Sequence, residues 1–184
     1  MEQTSVCVCV CSYATALNDV LTFTADNYYL LYFDGALVAS RTPSNELNVY
    51  QRLGSIPLPN STRVIAITGY NIILDNRHNP AGIIASDSSG YIWTNSSWRC
   101  SKLLVAGWMD VGFNDRGWPY AKEEASNENG DWESLRDIRP DAKWIWTNNF
   151  NALTGFPLDM SVYCRLCIGT LDSNYMLKNL SLES

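Results

Sequence analysis

Histidine is almost absent from this chain of 184 residues, where His78 is the one copy. A Ser-His-Asp hydrolase arrangement therefore has little support, and no nucleophile elbow accompanies the abundant serines. Basic residues are also scarce, 13 Lys and Arg against 19 Asp and Glu, for a formal charge of −6. Binding to a phosphate backbone needs clustered Lys and Arg. The densest basic group, Arg136, Arg139 and Lys143, is diluted by Asp137 and Asp141, so nucleic acid is excluded as a partner. No apolar run approaches the ~20 residues of a membrane-spanning helix, so no membrane insertion is expected. The opening Met1-Glu2-Gln3-Thr4-Ser5 lacks the basic n-region of a secretory signal and is not read as one. Helix signals are few, a turn or so at 114–120 and at 131–137.

What is present is aromatic and β-branched. Apolar residues make up 46% of the chain, with seven Trp, ten Tyr and five Phe. That suffices for one core and one domain over 1–184, with a polar, loosely held tail from about residue 172. Strand-like runs bounded by Gly, Pro, Asn and Asp recur at 6–11, 20–25, 28–33, 36–40, 49–56, 63–70, 82–86, 91–94, 103–105, 144–147 and 161–167. Asp34-Gly35 between two of them is a two-residue hairpin signal, because a type I′ turn needs positive φ at both centres. Many short strands with turns between them specify an all-β sandwich or barrel. The polar stretch 122–139, with Asn127-Glu128-Asn129-Gly130 at its centre, reads as a long surface loop.

The six cysteines are Cys7, Cys9, Cys11, Cys100, Cys164 and Cys167. An even count favours a disulfide framework, and with it an extracellular setting. Cys7, Cys9 and Cys11 alternate with valines, so all three lie on one face of a strand. Same-face neighbours sit about 6.5–7 Å apart, too far for an easy bridge. Each is therefore expected to pair with one of Cys100, Cys164 and Cys167. Free thiols and a zinc site stay open as alternatives. Cys164-Arg165-Leu166-Cys167 has half the spacing of a zinc site, and the alternating strand supplies no second close pair.

Several segments together resemble a known family. Ala25-Asp26-Asn27-Tyr28-Tyr29-Leu30-Leu31-Tyr32-Phe33-Asp34-Gly35, Asn79-Pro80-Ala81-Gly82-Ile83-Ile84-Ala85, Thr94-Asn95-Ser96-Ser97-Trp98-Arg99, Phe113-Asn114-Asp115-Arg116-Gly117-Trp118-Pro119, Ala142-Lys143-Trp144-Ile145-Trp146 and Val162-Tyr163-Cys164-Arg165 occur in this order. They are similar to segments of galactose-binding-domain-like jelly rolls, including non-catalytic carbohydrate-binding modules attached to rhamnosidases. The resemblance implies a β-sandwich jelly roll and a lectin-like role.

It also implies a site. In calcium-dependent modules of this type an Asp-Asn pair at a strand start helps hold Ca2+, which a sugar diol then ligates. Asp26, Asn27, the Asn79 side chain and the Pro80 carbonyl are the corresponding metal candidates. Ca2+ takes six to eight oxygens, and the segment Asp75-Asn76-Arg77-His78-Asn79-Pro80 is dense in them. A local Asx turn at Asp26-Asn27 is the structural alternative. For sugar contact we single out Tyr50, Tyr70, His78 and Asn79, while Trp98, Trp118, Trp144 and Trp146 are expected in the core. Glu123, Glu124, Glu128, Asp131 and Glu133 are read as carboxylates of a solvated loop and not as a glycosidase pair. Asn60 and Asn95 open glycosylation sequons. The expectation is thus a secreted, non-enzymatic domain that binds carbohydrate or glycoprotein, with Ca2+ as cofactor and a homo-oligomer as a further possibility. The alternative is a structural matrix, adhesion or filament subunit assembled through disulfides.

Overall fold

The computed structural model describes residues 19–42, 49–72, 80–128, 130, 132–150 and 158–168. Among these residues, ten strands form two five-stranded antiparallel sheets. They are β1 Val20–Asp26, β2 Tyr28–Phe33, β3 Ala36–Arg41, β4 Gly54–Pro57, β5 Val64–Tyr70, β6 Gly82–Asp87, β7 Arg99–Ser101, β8 Lys122–Ser126, β9 Lys143–Trp146 and β10 Ser161–Cys167. The first sheet runs β4-β1-β6-β9-β8 and the second β3-β2-β5-β10-β7. The expected all-β sandwich is what the chain forms.

The strand alternation explains the two layers. Phe23, Leu31, Ile65, Ile67, Ile83, Ile145 and Trp146 face one another between the sheets. Gly69 belongs to this interior, because a Cβ there would lie 2.8 Å from the Trp146 ring and 2.9 Å from Ile83. The outer faces are also covered. Ile84, Trp132, Leu135, Ile138 and Trp144 cluster outside the first sheet. Val64, Ala66, Trp108 and Cys167 cluster outside the second, under Phe113 and Trp118. Each buried aromatic removes on the order of 150–250 Å² from water. At ~25 cal/mol/Å² that is roughly 4–6 kcal/mol gross.

The Asp34-Gly35 turn has φ of 48° and 90°, as its type requires. Asp34 Oδ1 also accepts the Arg63 and Val64 amides at 2.9 and 2.7 Å, which ties the hairpin to β5.

Four expectations need correction. The stretch 122–139 is not a plain surface loop. Its first residues form β8 on β9, and Trp132, Leu135 and Ile138 are buried. Their apolar side chains repeat too sparsely in a polar sequence to show as a strand or helix. The runs 91–94 and 103–105 are not strands. The first makes one isolated bridge, Ser86 to Trp93, and Leu103 and Leu104 are 65% and 67% exposed. The run 49–56 divides into a short 3-10 turn, Val49–Gln51, and β4. Lastly, Cys100 and Cys164 bond to each other. They sit directly opposite in the β7–β10 ladder, Cα atoms 4.1 Å apart, so neither reaches an N-terminal cysteine. Cys167 is buried, its thiol 3.8 Å from Asp115 Oδ2. Cys7, Cys9 and Cys11 lie outside the described residues, as does the tail from 172.

Candidate functional site

β1 ends and β2 begins at Asp26-Asn27, where the chain crosses from one sheet to the other through a cis peptide bond. The Asn27 amide donates to the Tyr70 carbonyl at 2.7 Å. Its side chain is held at both ends. Nδ2 donates to Asp26 Oδ1 at 2.7 Å, and Oδ1 accepts the Ile72 amide at 2.7 Å.

Asp26 pairs with Gly82 of β6, whose missing side chain leaves room for the rings of Trp144 and Trp132. Those rings stack, centroids 4.4 Å apart and 15° from parallel. The Trp132 indole N–H donates to Asp26 Oδ2 at 3.0 Å. Burial pushes the Asp26 carboxyl above its ordinary value, with the Trp132 bond and the Arg41 charge pulling back.

Arg41, at the end of β3, completes the corner. Its guanidinium donates to the Asn27 carbonyl (2.9 Å from Nη2), to the Ala25 carbonyl (2.5 Å), to Thr24 Oγ1 (3.0 Å) and to the Arg52 carbonyl (2.6 Å). It also lies 4.8 Å from the centre of the Tyr29 ring. Oxygens that a calcium ion would use are thus directed onto a guanidinium and an indole. No group of three or more His, Cys, Asp or Glu that could hold a metal occurs among the described residues. Of the expected Ca2+ ligands, Asp26 and Asn27 make these contacts, and Asn79 lies outside the described residues.

The other expected site residues disperse. Tyr50 is half-buried and meets Trp144 edge-on at 6.1 Å, outside the first sheet. Tyr70 is 37% exposed and follows the inward Gly69, so it faces out from the second sheet. Two tyrosines on opposite outer faces cannot form one sugar platform. Pro80 is half-buried at the entry to β6. His78 and Asn79 lie outside the described residues. Asn60 is exposed in a turn, whereas Asn95 uses its amide to hold Ser97 N and Trp93 O. Glu123 accepts the Ser96 amide, Glu124 pairs with Lys122, and Glu133 accepts from Gln51. These carboxylates serve structural contacts.

A more open concavity lies along β7, an edge strand of the second sheet. It is a cleft of about 410 Å³ bounded by Trp118, Leu103, Val105, Thr147, Asn148 and Asn149. Trp98, Trp144 and Trp146 are fully buried as expected, but Trp118 is only half-buried and belongs to this wall. It stacks on Trp108 with centroids 6.1 Å apart, and its carbonyl accepts from Arg99 Nη1 at 2.7 Å. Asp159 braces the Thr147–Asn149 part of the lining, taking a bond from Thr147 Oγ1 at 2.5 Å and one from Asn149 Nδ2 at 2.7 Å. A cleft lined by both an indole and amide groups is suited to a ligand with both an apolar face and hydroxyls.

The chain resembles part of an α-L-rhamnosidase. Over 131 residues it is 28% identical to that enzyme of Streptomyces avermitilis. The alignment covers 64% of this chain and 12% of the enzyme, so the chain spans about an eighth of its relative. The crystal structure of Streptomyces avermitilis α-L-rhamnosidase complexed with L-rhamnose matches 73% of this chain and 13% of that one, with a TM-score of 0.50 and 24% identity. This second likeness shows the sandwich fold. No family model matches the chain.

Sequence reasoning missed Arg41, which no motif marks, and did not single out Trp132. The one hint for Trp132 was a lone tryptophan in an otherwise polar stretch, a costly residue to leave in solvent.

Proposed function

We propose that the chain is a non-catalytic carbohydrate-binding domain whose ligand lies in the Trp118 cleft. The cleft itself carries the reading. Its volume of about 410 Å³ falls in the range of small-molecule sites, ~300–1,000 Å³. Its lining includes the half-buried Trp118 and the Asn148 and Asn149 amides. The partial likeness to a rhamnosidase supports a sugar over other amphipathic ligands. The structural roles of Glu123, Glu124 and Glu133 support binding without turnover. The Cys100–Cys164 bond supports an extracellular setting.

The Asp26 corner is the second reading, favoured by its half-buried carboxylate beside Trp132. One glycan array separates the two, run on the wild type, Asn148→Ala, Trp118→Ala and Asp26→Ala, each with Ca2+ and with EDTA. Loss of binding in Asn148→Ala and Trp118→Ala, with Asp26→Ala and EDTA without effect, supports the cleft. Loss in Asp26→Ala and in EDTA moves the sugar to the corner, assigns Asp26 and Asn27 as Ca2+ ligands, and requires Arg41 and Trp132 to move off their oxygens. Absence of binding to every glycan in both buffers overturns the carbohydrate reading. Asn148 is exposed, so its variant tests the cleft without disturbing the core.

A further inference from the structure

Two carboxylic acids meet at the end of the sandwich opposite Asp26. Asp19 precedes β1 and Asp87 closes β6, next to each other through the Leu21–Asp87 pairing. Both are buried, at 1% and 6% exposure.

Their hydrogen bonds are unequal. Asp19 Oδ1 accepts the backbone N–H of Val20 (2.9 Å), Ser88 (3.0 Å) and Ser89 (3.1 Å), and the Ser88 hydroxyl (2.6 Å). Asp87 Oδ1 is buried with no hydrogen-bond partner. Between the acids stands one hydroxyl. Ser89 Oγ lies 2.7 Å from Asp19 Oδ2 and 2.7 Å from Asp87 Oδ2.

A hydroxyl carries a single proton. It can donate to one of these oxygens only, so the other contact is a hydrogen bond only if the acid itself brings a proton. The donor count decides which acid. Three amides and a hydroxyl stabilise Asp19 as the anion. A partnerless buried oxygen is far less costly as the carbonyl of a neutral acid than as half of a carboxylate.

We propose that Asp19 and Asp87 share one proton through Ser89, and that its loss loosens the turn after β6 from the start of β1. Asp87 Oδ2–H donates to Ser89 Oγ, and Ser89 Oγ–H donates to Asp19 Oδ2. The end of the sandwich is closed while one proton is present and is strained once two buried anions face each other across one hydroxyl.

The surroundings agree. Burial pushes the Asp87 carboxyl up, the Asp19 charge adds to this, and the Ile92 amide and Ser89 only partly offset it. Burial also acts on Asp19, but the bonds from Ser88, Ser89 and Val20, with the neighbouring Asp87 acid, outweigh it and hold the group below its ordinary value. From the segment after β4, Leu58 contributes only a backbone bond to the Asp19 carbonyl. From the turn packed against β6, Arg139 directs its guanidinium to Asp141, the Gly90 carbonyl and the Trp93 ring. Arg136 and Asp137 share with Asp87 a cleft of about 410 Å³, which gives the proton a route to solvent.

The sign follows for each acid. With its folded value raised, Asp87 contributes stability fully present below its unfolded value and lost as pH rises through the folded one. With its folded value lowered, Asp19 contributes stability present above its unfolded value and lost as pH falls through the folded one. The corner is tightest between the two.

The test is a urea midpoint measured from acid to neutral pH, together with a 13C titration of the Asp87 carboxyl in the wild-type chain. Asp87→Asn places an amide N–H where the shared proton was. It is expected to match the wild type in acid, to exceed it at neutral pH, and to remove the alkaline limb. Asp19→Asn is expected to lose stability above the acid range, since its carbonyl oxygen would accept the three N–H groups without the negative charge they stabilise. An Asp87 carboxyl that titrates at the ordinary aspartate value overturns the proposal. So does an Asp87→Asn variant weaker than wild type at every pH. Stabilisation by added Ca2+ that abolishes the pH dependence in the wild type also overturns it, since a cation would then bind where the proton is placed. Glycan binding plays no part in these readouts.

Discussion

The Trp132 indole N–H donates to Asp26 Oδ2 at 3.0 Å across 106 positions of sequence. This bond joins a residue from a polar stretch to the crossing between the two sheets, and it holds the indole stacked on Trp144.

Trp132→Phe keeps a stacked ring and removes the donor. The buried Asp26 oxygen then has one partner fewer, at a cost of about 1–3 kcal/mol, read as a lower urea midpoint. The effect depends on pH. Because burial raises Asp26 in the folded state, its contribution is fully present below its unfolded value and falls away as pH rises through the folded one. The variant should therefore lie closest to wild type in acid and diverge towards neutral pH. A deficit of the same size at all pH values would show that the bond is not made to a carboxylate.

Arg165 clamps the loop over the second sheet. It is fully buried and pairs with Asp115 at 2.7 Å, while donating to the carbonyls of Phe113 (3.1 Å) and Asp110 (3.0 Å). Arg165→Ala leaves the buried Asp115 carboxylate with only the more distant Arg99, 4.0 Å away, and should cost about 3 kcal/mol. The double variant Arg165→Met with Asp115→Leu, which removes both charges, should recover much of that loss. Equal denaturation midpoints for the single and double variants would refute the clamp. The same loop carries Trp118, so glycan affinity should fall with Arg165→Ala and not only stability.

The Cys100–Cys164 bridge closes a separation of 64 residues. Replacing either cysteine by Ala should cost about 2–4 kcal/mol, seen as a lower Tm. Reductant should shift the wild type towards the variant and leave the variant unchanged. A wild type indifferent to reductant after full thiol labelling would show that the bridge adds no stability.

The elements legible in the sequence were those whose signal is local. Residues 28–33 and 161–167 matched β2 and β10 in full. The Asp34-Gly35 turn was readable because its positive φ values select residue types at two positions. β7 and β8 were not legible. Arg99–Ser101 is three residues long, and Lys122–Ser126 is an edge strand whose outer positions face water, so neither has a hydrophobic alternation. The sites were less legible than the strands. Asp26 and Asn27 stood out by resemblance, but nothing near them in the chain announced Arg41 or Trp132, and Trp118 was read as core because its motif shows only that it packs.

The sequence by itself determined the all-β class, most of the strands, the hairpin turn and the lack of any basic cluster or long apolar run. These follow from side-chain alternation, turn stereochemistry and charge, which act within a few residues. Only the tertiary structure decided that Cys100 meets Cys164, that Trp132 meets Asp26, that Tyr50 and Tyr70 face apart, and that Asp19 and Asp87 converge on Ser89. Each depends on sheet order and register, which bring together residues distant in the chain. Local periodicity shows which face of a strand is buried but not which partner strand covers it.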